Sequence, residues 1–304
     1  MKRRRKPIRG RANNRGDPSR SDNNVRFDAR GFQDWPNKSI TLLGMSGVGK
    51  TRLANLLRQH HWFHYAGDYR IGTRYLDEPI LDNIKQKAMQ IPFLRDLLRS
   101  DSIYIGNNIT VDNLHPVSTF LGMIGNPELG GLSHDEFVER QRLYKEAEIK
   151  AMKDVPKFIQ KAREIYGYDH FVNDAGGSLC ELDDPEVLEL LAESSLILYI
   201  QATDKDVRHL LKRAGESPKP LLYREEFLKE HLKSYQDENN LPYAALIDPT
   251  EFARWVFPQL FRSRVPRYEA IAAKHGYTIT SDELAKVGSE ADFLKLVETA
   301  VERG

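Results

Sequence analysis

Apolar positions fall in short blocks separated by longer polar stretches, and the blocks differ in period. "SITLLG" (39–44) is a continuous apolar run ending in glycine and predicts a buried strand. "KTRLANLLRQH" (50–60) places Leu53, Leu56 and Leu57 at helical spacing. "HWFHYAG" (61–67) predicts a second strand that stops at Asp68. A polar, helix-periodic region follows from about Asp77 to Gly167, in which Ser133 and Glu136 offer a capping box. The helix it opens is expected to run to about Tyr166, with a break at Pro156. "YDHFVND" (168–174) predicts a third strand, ending in Asp174 just before Gly176 and Gly177. Asp184 and Pro185 suit the cap and first position of a helix, and "SLILYIQA" a fourth strand. "TDKDVRHLLKRAG" predicts a helix closed by Gly215. "YEAIAAKHG", "YTIT" and 290–303 predict a helix, a last short strand and a closing helix. Strands alternating with helices imply an α/β fold, a parallel sheet sandwiched by helices. Residues 78–166 form a large helical insertion between its second and third strands.

The turn between the first strand and its helix is "GMSGVGKT" (44–51), which fits G-x-x-x-x-G-K-[ST] in full. Gly44, Gly47 and Gly49 let the backbone wrap an anion, so that N–H groups, including that of Ser46, point inward at a helix N-terminus. Lys50 can reach the β- and γ-phosphates, and the Thr51 hydroxyl can ligate Mg²⁺. The predicted cofactors are ATP and Mg²⁺, and the fold is of the P-loop NTPase type.

ATP binding alone does not separate a kinase from a hydrolase, so the other strand ends carry the distinction. After strand two come Asp68, able to orient an acceptor hydroxyl, and Arg70 and Arg74, able to grip an anionic acceptor. Asp174 at the end of strand three is a candidate metal acid, and Gly176 and Gly177 let backbone approach a substrate closely. After strand four, Arg208, Lys212, Arg213, Lys219 and Arg224 surround a Gly/Ser/Pro turn. That composition suits a cationic lid over 212–224, with Arg208 toward the nucleotide and Arg213 and Lys219 at the transferring phosphoryl group. Within the insertion, Asn107, Asn108, Asp112 and His115 are candidate readers of a polar acceptor.

These motifs, in this order, resemble shikimate kinase and its small-molecule kinase relatives. Lys219-Pro220-Leu221-Leu222 stands where that family has an Arg-Pro-Leu-Leu lid segment with a catalytic arginine. Arg264-Val265-Pro266-Arg267-Tyr268 matches the spacing of its substrate-binding Arg-x-Pro-x-Tyr segment. Asp68 matches the acid after strand two, although the family has Asp-x-Asp where this chain has a single acid followed by Tyr69. The resemblance implies transfer of the γ-phosphoryl of Mg·ATP to a small polar, anionic acceptor, with Arg264 as a substrate residue. The alternative is an ATP-hydrolysing regulatory or nucleic-acid-associated protein.

Charge bears on that alternative. Residues 1–20 hold nine Lys or Arg and one acid, Asp17, a net of +8 in a chain of net +1. Residues 1–25 are almost devoid of apolar side chains, so they are expected to be a disordered basic tail that contacts nucleic acid or acidic partners. Residues 26–304 are then a single kinase-like domain. The longest apolar runs, such as "LILYI" (196–200), are far too short to span a bilayer, and a cytoplasmic protein is expected. The single cysteine, Cys180, excludes an internal disulfide framework and a cysteine-based zinc site. His60, His61 and His64 straddle a helix end and a strand and do not form one metal-binding face.

Overall fold

The computed structural model describes residues 27–304, so the basic tail expected over 1–25 lies outside the described residues. Five strands, β1 (Ser39–Leu43), β2 (Trp62–Ala66), β3 (His170–Asp174), β4 (Leu196–Gln201) and β5 (Gly276–Thr280), form one sheet. Their order is β2-β3-β1-β4-β5 and every pairing is parallel. All of β1 and all of β4 except Gln201 are buried, as strands covered on both faces must be. Asp174 stands in register with Leu42 on one side and Ala66 on the other. The loops after β1, β2 and β3 therefore leave the sheet side by side at its carboxyl edge, where open parallel sheets gather ligands.

Helix α1 (Ala29–Asp34) precedes β1, and α2 (Lys50–Leu57) follows the glycine loop. Between β2 and β3 lie α3 (Gly67–Arg70), extended by a π-helical turn over Ile71–Tyr75, and α4 (Asp77–Ala88). The same interval holds α5 (Pro92–Arg99), α6 (His115–Leu121), α7 (His134–Lys153) and α8 (Val155–Glu164). Then come α9 (Pro185–Ser194), α10 (Asp204–Glu216) and α11 (Glu225–Glu238). The chain ends with α12 (Pro249–His275), α13 (Ser281–Ala285) and α14 (Glu290–Arg303). Among the described residues no helix is long and apolar enough to cross a membrane.

The largest core surrounds the sheet, and a smaller one joins α11 and α12 to Phe137 of α7. Helix α7 buries Phe137, Gln141, Tyr144, Glu148 and Ala151, one face at helical spacing. Arg140, Ala147 and Met152 are buried as well, so the face mixes apolar side chains with the polar groups of Arg140, Gln141 and Glu148. Ser133 caps α7 by accepting from the Glu136 N–H, but the Glu136 carboxylate turns forward to Arg140 instead of back, leaving half a capping box. The break falls at Asp154, and Pro156 sits in the first turn of α8, where a missing N–H costs nothing.

Two expectations are corrected. Gly215 does not close α10, which continues to Glu216. The helix expected over "YEAIAAKHG" is the last part of the 27-residue α12, which runs through Pro258 and Pro266. An interior proline costs about 3 kcal/mol, but each fully buried large apolar side chain stabilises by about 1.5–3 kcal/mol. With Val256, Leu260, Phe261, Tyr268 and Ile271 all buried, packing outweighs the two prolines.

Candidate active site

The glycine loop takes the backbone its sequence demands. Gly44, Gly47 and Gly49 have φ of +139°, +97° and +105°, a region that residues with a Cβ rarely adopt. Lys50 is 6% exposed, and its Nζ donates to the Gly44 carbonyl at 2.6 Å and to that of Met45 at 3.2 Å. One of its three N–H bonds remains for a phosphate oxygen. Burial lowers the Lys50 ammonium from its ordinary value, while Asp174, Asp68 and Glu148 pull it back up. A cavity of about 300 Å³ opens over the loop, lined by Ser46, Gly47, Gly49, Lys50 and Thr51 on one side and by Asp68 and Asp174 on the other.

The Thr51 hydroxyl donates to Asp174 Oδ2 at 2.7 Å. Burial works to raise the Asp174 carboxyl, but His64, Lys50 and Thr51 together hold it below the usual range. His64 Nε2 is buried 3.8 Å from Asp174 Oδ2, whereas His60 and His61 are exposed. Among the described residues no group of three or more His, Cys, Asp and Glu could hold a metal. A hydroxyl beside an ionised carboxylate is nevertheless an all-oxygen donor pair of the kind Mg²⁺ accepts when phosphates and waters supply the other ligands.

Asp68 stands in the first turn of α3, directly after β2, and lines the first cavity. It also lines a second cavity of about 200 Å³, with Tyr144, Ser178, Lys219 and Arg264. Tyr144 Oη donates to Asp68 Oδ1 at 3.5 Å. Burial raises the Asp68 carboxyl, Asp174 adds to the effect, and Lys50 opposes it. Gly177 seats this arrangement, because a Cβ there would stand 3.0 Å from the Ser46 backbone nitrogen. Beside it, a Cβ on Gly176 would meet both Glu148 Oε1 at 2.8 Å and Asp68 Oδ1 at 3.0 Å.

Glu148 escaped the sequence reading. It is wholly buried on α7, accepts from the Ser178 hydroxyl at 2.6 Å, and leaves Oε1 without a hydrogen-bond partner. Burial, joined by the charge on Asp68, pushes its carboxyl up to about 8. It is therefore neutral in the folded protein over a range where the unfolded chain ionises. The stability this contributes is complete below pH 4.5, the ordinary value for Glu, and is lost as pH climbs toward about 8. Glu148→Gln, neutral at every pH, is expected to flatten that decline. Urea midpoints measured across this range check it, and an unchanged slope would refute the assignment.

Arg264, expected as a substrate residue, lies at the wall of the second cavity but is already engaged. Its Nε donates to Glu181 at 2.7 Å, Nη1 to the Gly177 carbonyl at 2.9 Å and Nη2 to the Leu222 carbonyl at 2.7 Å. Glu181 is buried and also accepts from Arg224 at 2.9 Å. Removing one partner of a buried ion pair typically costs about 3–5 kcal/mol. Arg264→Met is therefore expected to lower the unfolding free energy by about 3 kcal/mol, read from urea denaturation. A change below about 1 kcal/mol would show the pair to be incidental.

The structure sorts the remaining expected site residues. Lys219 borders the second cavity, and Arg213 lies over the glycine loop, its Nη2 3.0 Å from where a Gly47 Cβ would stand. Arg70 is not in either cavity: it donates to Asp154 at 2.6 Å and stacks over the Phe158 ring. Arg74 and Arg208 are exposed and line neither cavity. Lys212 pairs with Glu216 on the outer face of α10. Of the insertion's polar candidates, Asn107 donates to Asp77 and the Asn108 carbonyl accepts from Asn113, so both tie loops together. The insertion instead lines the cavities with Val111, Leu114, Val117, Ser118, Leu121 and Tyr144.

A five-stranded parallel sheet in this order, with the glycine loop joining its first strand to a helix, defines a P-loop fold of the kind found in small-molecule kinases. Among solved structures the chain is similar to shikimate kinase from Bacteroides thetaiotaomicron, at 14% identity over 88% of this chain and 95% of that one, with a TM-score of 0.38. It is also similar to shikimate kinase from Acinetobacter baumannii in complex with shikimate, at 14% identity over 90% and 96%, with a TM-score of 0.35. No protein-family model and no curated protein matches the chain.

Proposed function

We propose that this protein is an ATP-dependent phosphotransferase that moves the γ-phosphoryl group of Mg·ATP to a hydroxyl of a small acceptor. The observation that carries the reading is the position of Asp68, which lines both the cavity over the glycine loop and the cavity beside it. A hydrolase needs room only for water. Here a second chamber adjoins the phosphate chamber, and a half-buried carboxylate stands at their junction.

Backbone N–H groups of 44–50 and Lys50 would hold the phosphates, and Thr51 with Asp174 would hold Mg²⁺, which neutralises phosphate charge when bound. Asp68 orients the acceptor hydroxyl and takes its proton as the oxygen attacks the γ-phosphorus. The bond from that phosphorus to the β-phosphate oxygen breaks, and ADP leaves. Arg213 and Lys219 offset charge on the transferring group from the α10 side. The raised basicity of Asp68 suits a proton acceptor.

The test is ADP release from Mg·ATP by the full chain, with and without a panel of small alcohols. Acceptor-dependent release, with phosphorus recovered on the alcohol, is expected. Release that ignores every alcohol, responds to DNA or RNA and is lost on removing residues 1–25 would instead identify a nucleic-acid-stimulated ATPase.

A further inference from the structure

The second cavity lacks what a negatively charged acceptor needs. An acceptor carboxylate or phosphate buried there would require a guanidinium fork or an equivalent set of donors. Arg264 is the one arginine in its wall, and three of its five N–H donors are bound to Glu181, Gly177 and Leu222, so its fork is not free to take a carboxylate. Glu181, itself buried, pairs with Arg264 and with Arg224. Arg70 is held outside by Asp154. Lys219 remains, exposed at the mouth, and it also borders the small space beside Ser46 and Arg213, on the side of the transferring phosphoryl group. Asp68 lines the floor, and the carboxyl of Glu148 lies beyond it across Gly176.

Two facing sides of the wall are hydrocarbon. Leu114, Val117 and Leu121 line one side, and Pro220, Leu221 and Leu222 face them from the segment after α10. The hydroxyls of Tyr144 and Ser178 stand at the Asp68 end. The chamber, at about 200 Å³, is smaller than the sites of drug-sized ligands and suits a compact metabolite.

From this distribution, and resting on the phosphotransferase reading, we infer that the acceptor is an uncharged alcohol with an apolar flank. Its hydroxyl meets Asp68, and its hydrocarbon body lies between the α6 wall and the Pro220–Leu222 wall. An acceptor bearing a carboxylate or phosphate is disfavoured, because its charge would be desolvated against hydrocarbon and Asp68 with no free guanidinium to receive it.

The experiment uses the full chain with Mg·ADP present and two matched probe pairs: 3-hydroxybenzyl alcohol against 3-hydroxybenzoate, and cyclohexane-1,2-diol against 2-hydroxycyclohexanecarboxylate. Calorimetric titration is expected to show the uncharged member of each pair binding about tenfold or more tighter. Ser118 lies half-buried in the α6 wall, so Ser118→Arg adds a cation without opening the core. That variant is expected to recover the carboxylates by about tenfold and to leave the alcohols weaker or unchanged. Carboxylates bound as tightly as alcohols by the unsubstituted protein, or no alcohol binding at concentrations on the order of 10 mM, would overturn the inference. The transferase reading fails separately: an alcohol that binds in competition with its pair but is never phosphorylated from Mg·ATP leaves the preference standing and removes the reaction.

Discussion

Lys50→Ala is expected to reduce phosphoryl transfer by on the order of 10³-fold or more while leaving the fold intact. No other side chain of the glycine loop carries a positive charge, and Lys50 Nζ is anchored at the loop's mouth by two carbonyls. Its ammonium is desolvated, so its loss removes a buried charge as well as an attraction. The two effects oppose each other, and the melting temperature without nucleotide should change little. The diagnostic is ligand stabilisation. A ligand at 100 times its Kd stabilises by about 2.7 kcal/mol, so Mg·ATP should raise the melting temperature of the unsubstituted protein and scarcely move that of the variant. Equal stabilisation of both would refute the role given to the loop.

Asp68→Asn is expected to cost about 10²–10⁴-fold in transfer rate and, at the same time, to stabilise the protein at neutral pH. Asparagine is nearly isosteric but cannot take the acceptor's proton. Burial, then Asp174, raises the Asp68 carboxyl in the folded state, so its contribution to stability is present below the ordinary Asp value of 3.8 and is lost as pH rises. A neutral side chain escapes that loss. Activity and stability should therefore move in opposite directions, as they do where a site is held in an unfavourable charge state for function. A variant that loses both together would place Asp68 among purely structural residues. Retention of Mg·ATP stabilisation in this variant separates it from Lys50→Ala.

Features that depend on a few neighbouring residues were legible in the sequence. The glycine loop is local, because three positive-φ positions, a lysine and a hydroxyl within eight residues admit few alternatives. The strands stood out as short apolar runs, and Asp68 and Asp174 were placed because an acid ends a run. What escaped is set by partners far along the chain. Arg70 and Arg264 read as free cations because Asp154 and Glu181, which hold them, lie 84 and 83 residues away. Glu148 is one of many charges on a polar helix, and only the packing of α7 decides that its face is buried. His60, His61 and His64 were expected not to share one metal-binding face, but that β2 sends His64 to Asp174 was not legible. In α12, local proline signals lost to tertiary packing.

The ties around Glu181 also govern where the chain tolerates a change in length. From Leu221 onward the segment after α10 is fastened at consecutive residues. The Leu221 carbonyl and the Tyr223 N–H both bond Gln141, the Leu222 carbonyl accepts from Arg264, and Arg224 pairs with Glu181. Upstream, α10 is hydrogen-bonded to its end at Glu216. The expected lid of 212–224 thus contains a short stretch, 218–220, bounded by a helix capped at Ser217 on one side and a row of anchors on the other. Residues spliced in there lengthen a surface turn and leave both borders untouched. The same residues spliced in two positions later would break the row of anchors between Leu222 and Tyr223 and displace the wall of the acceptor chamber.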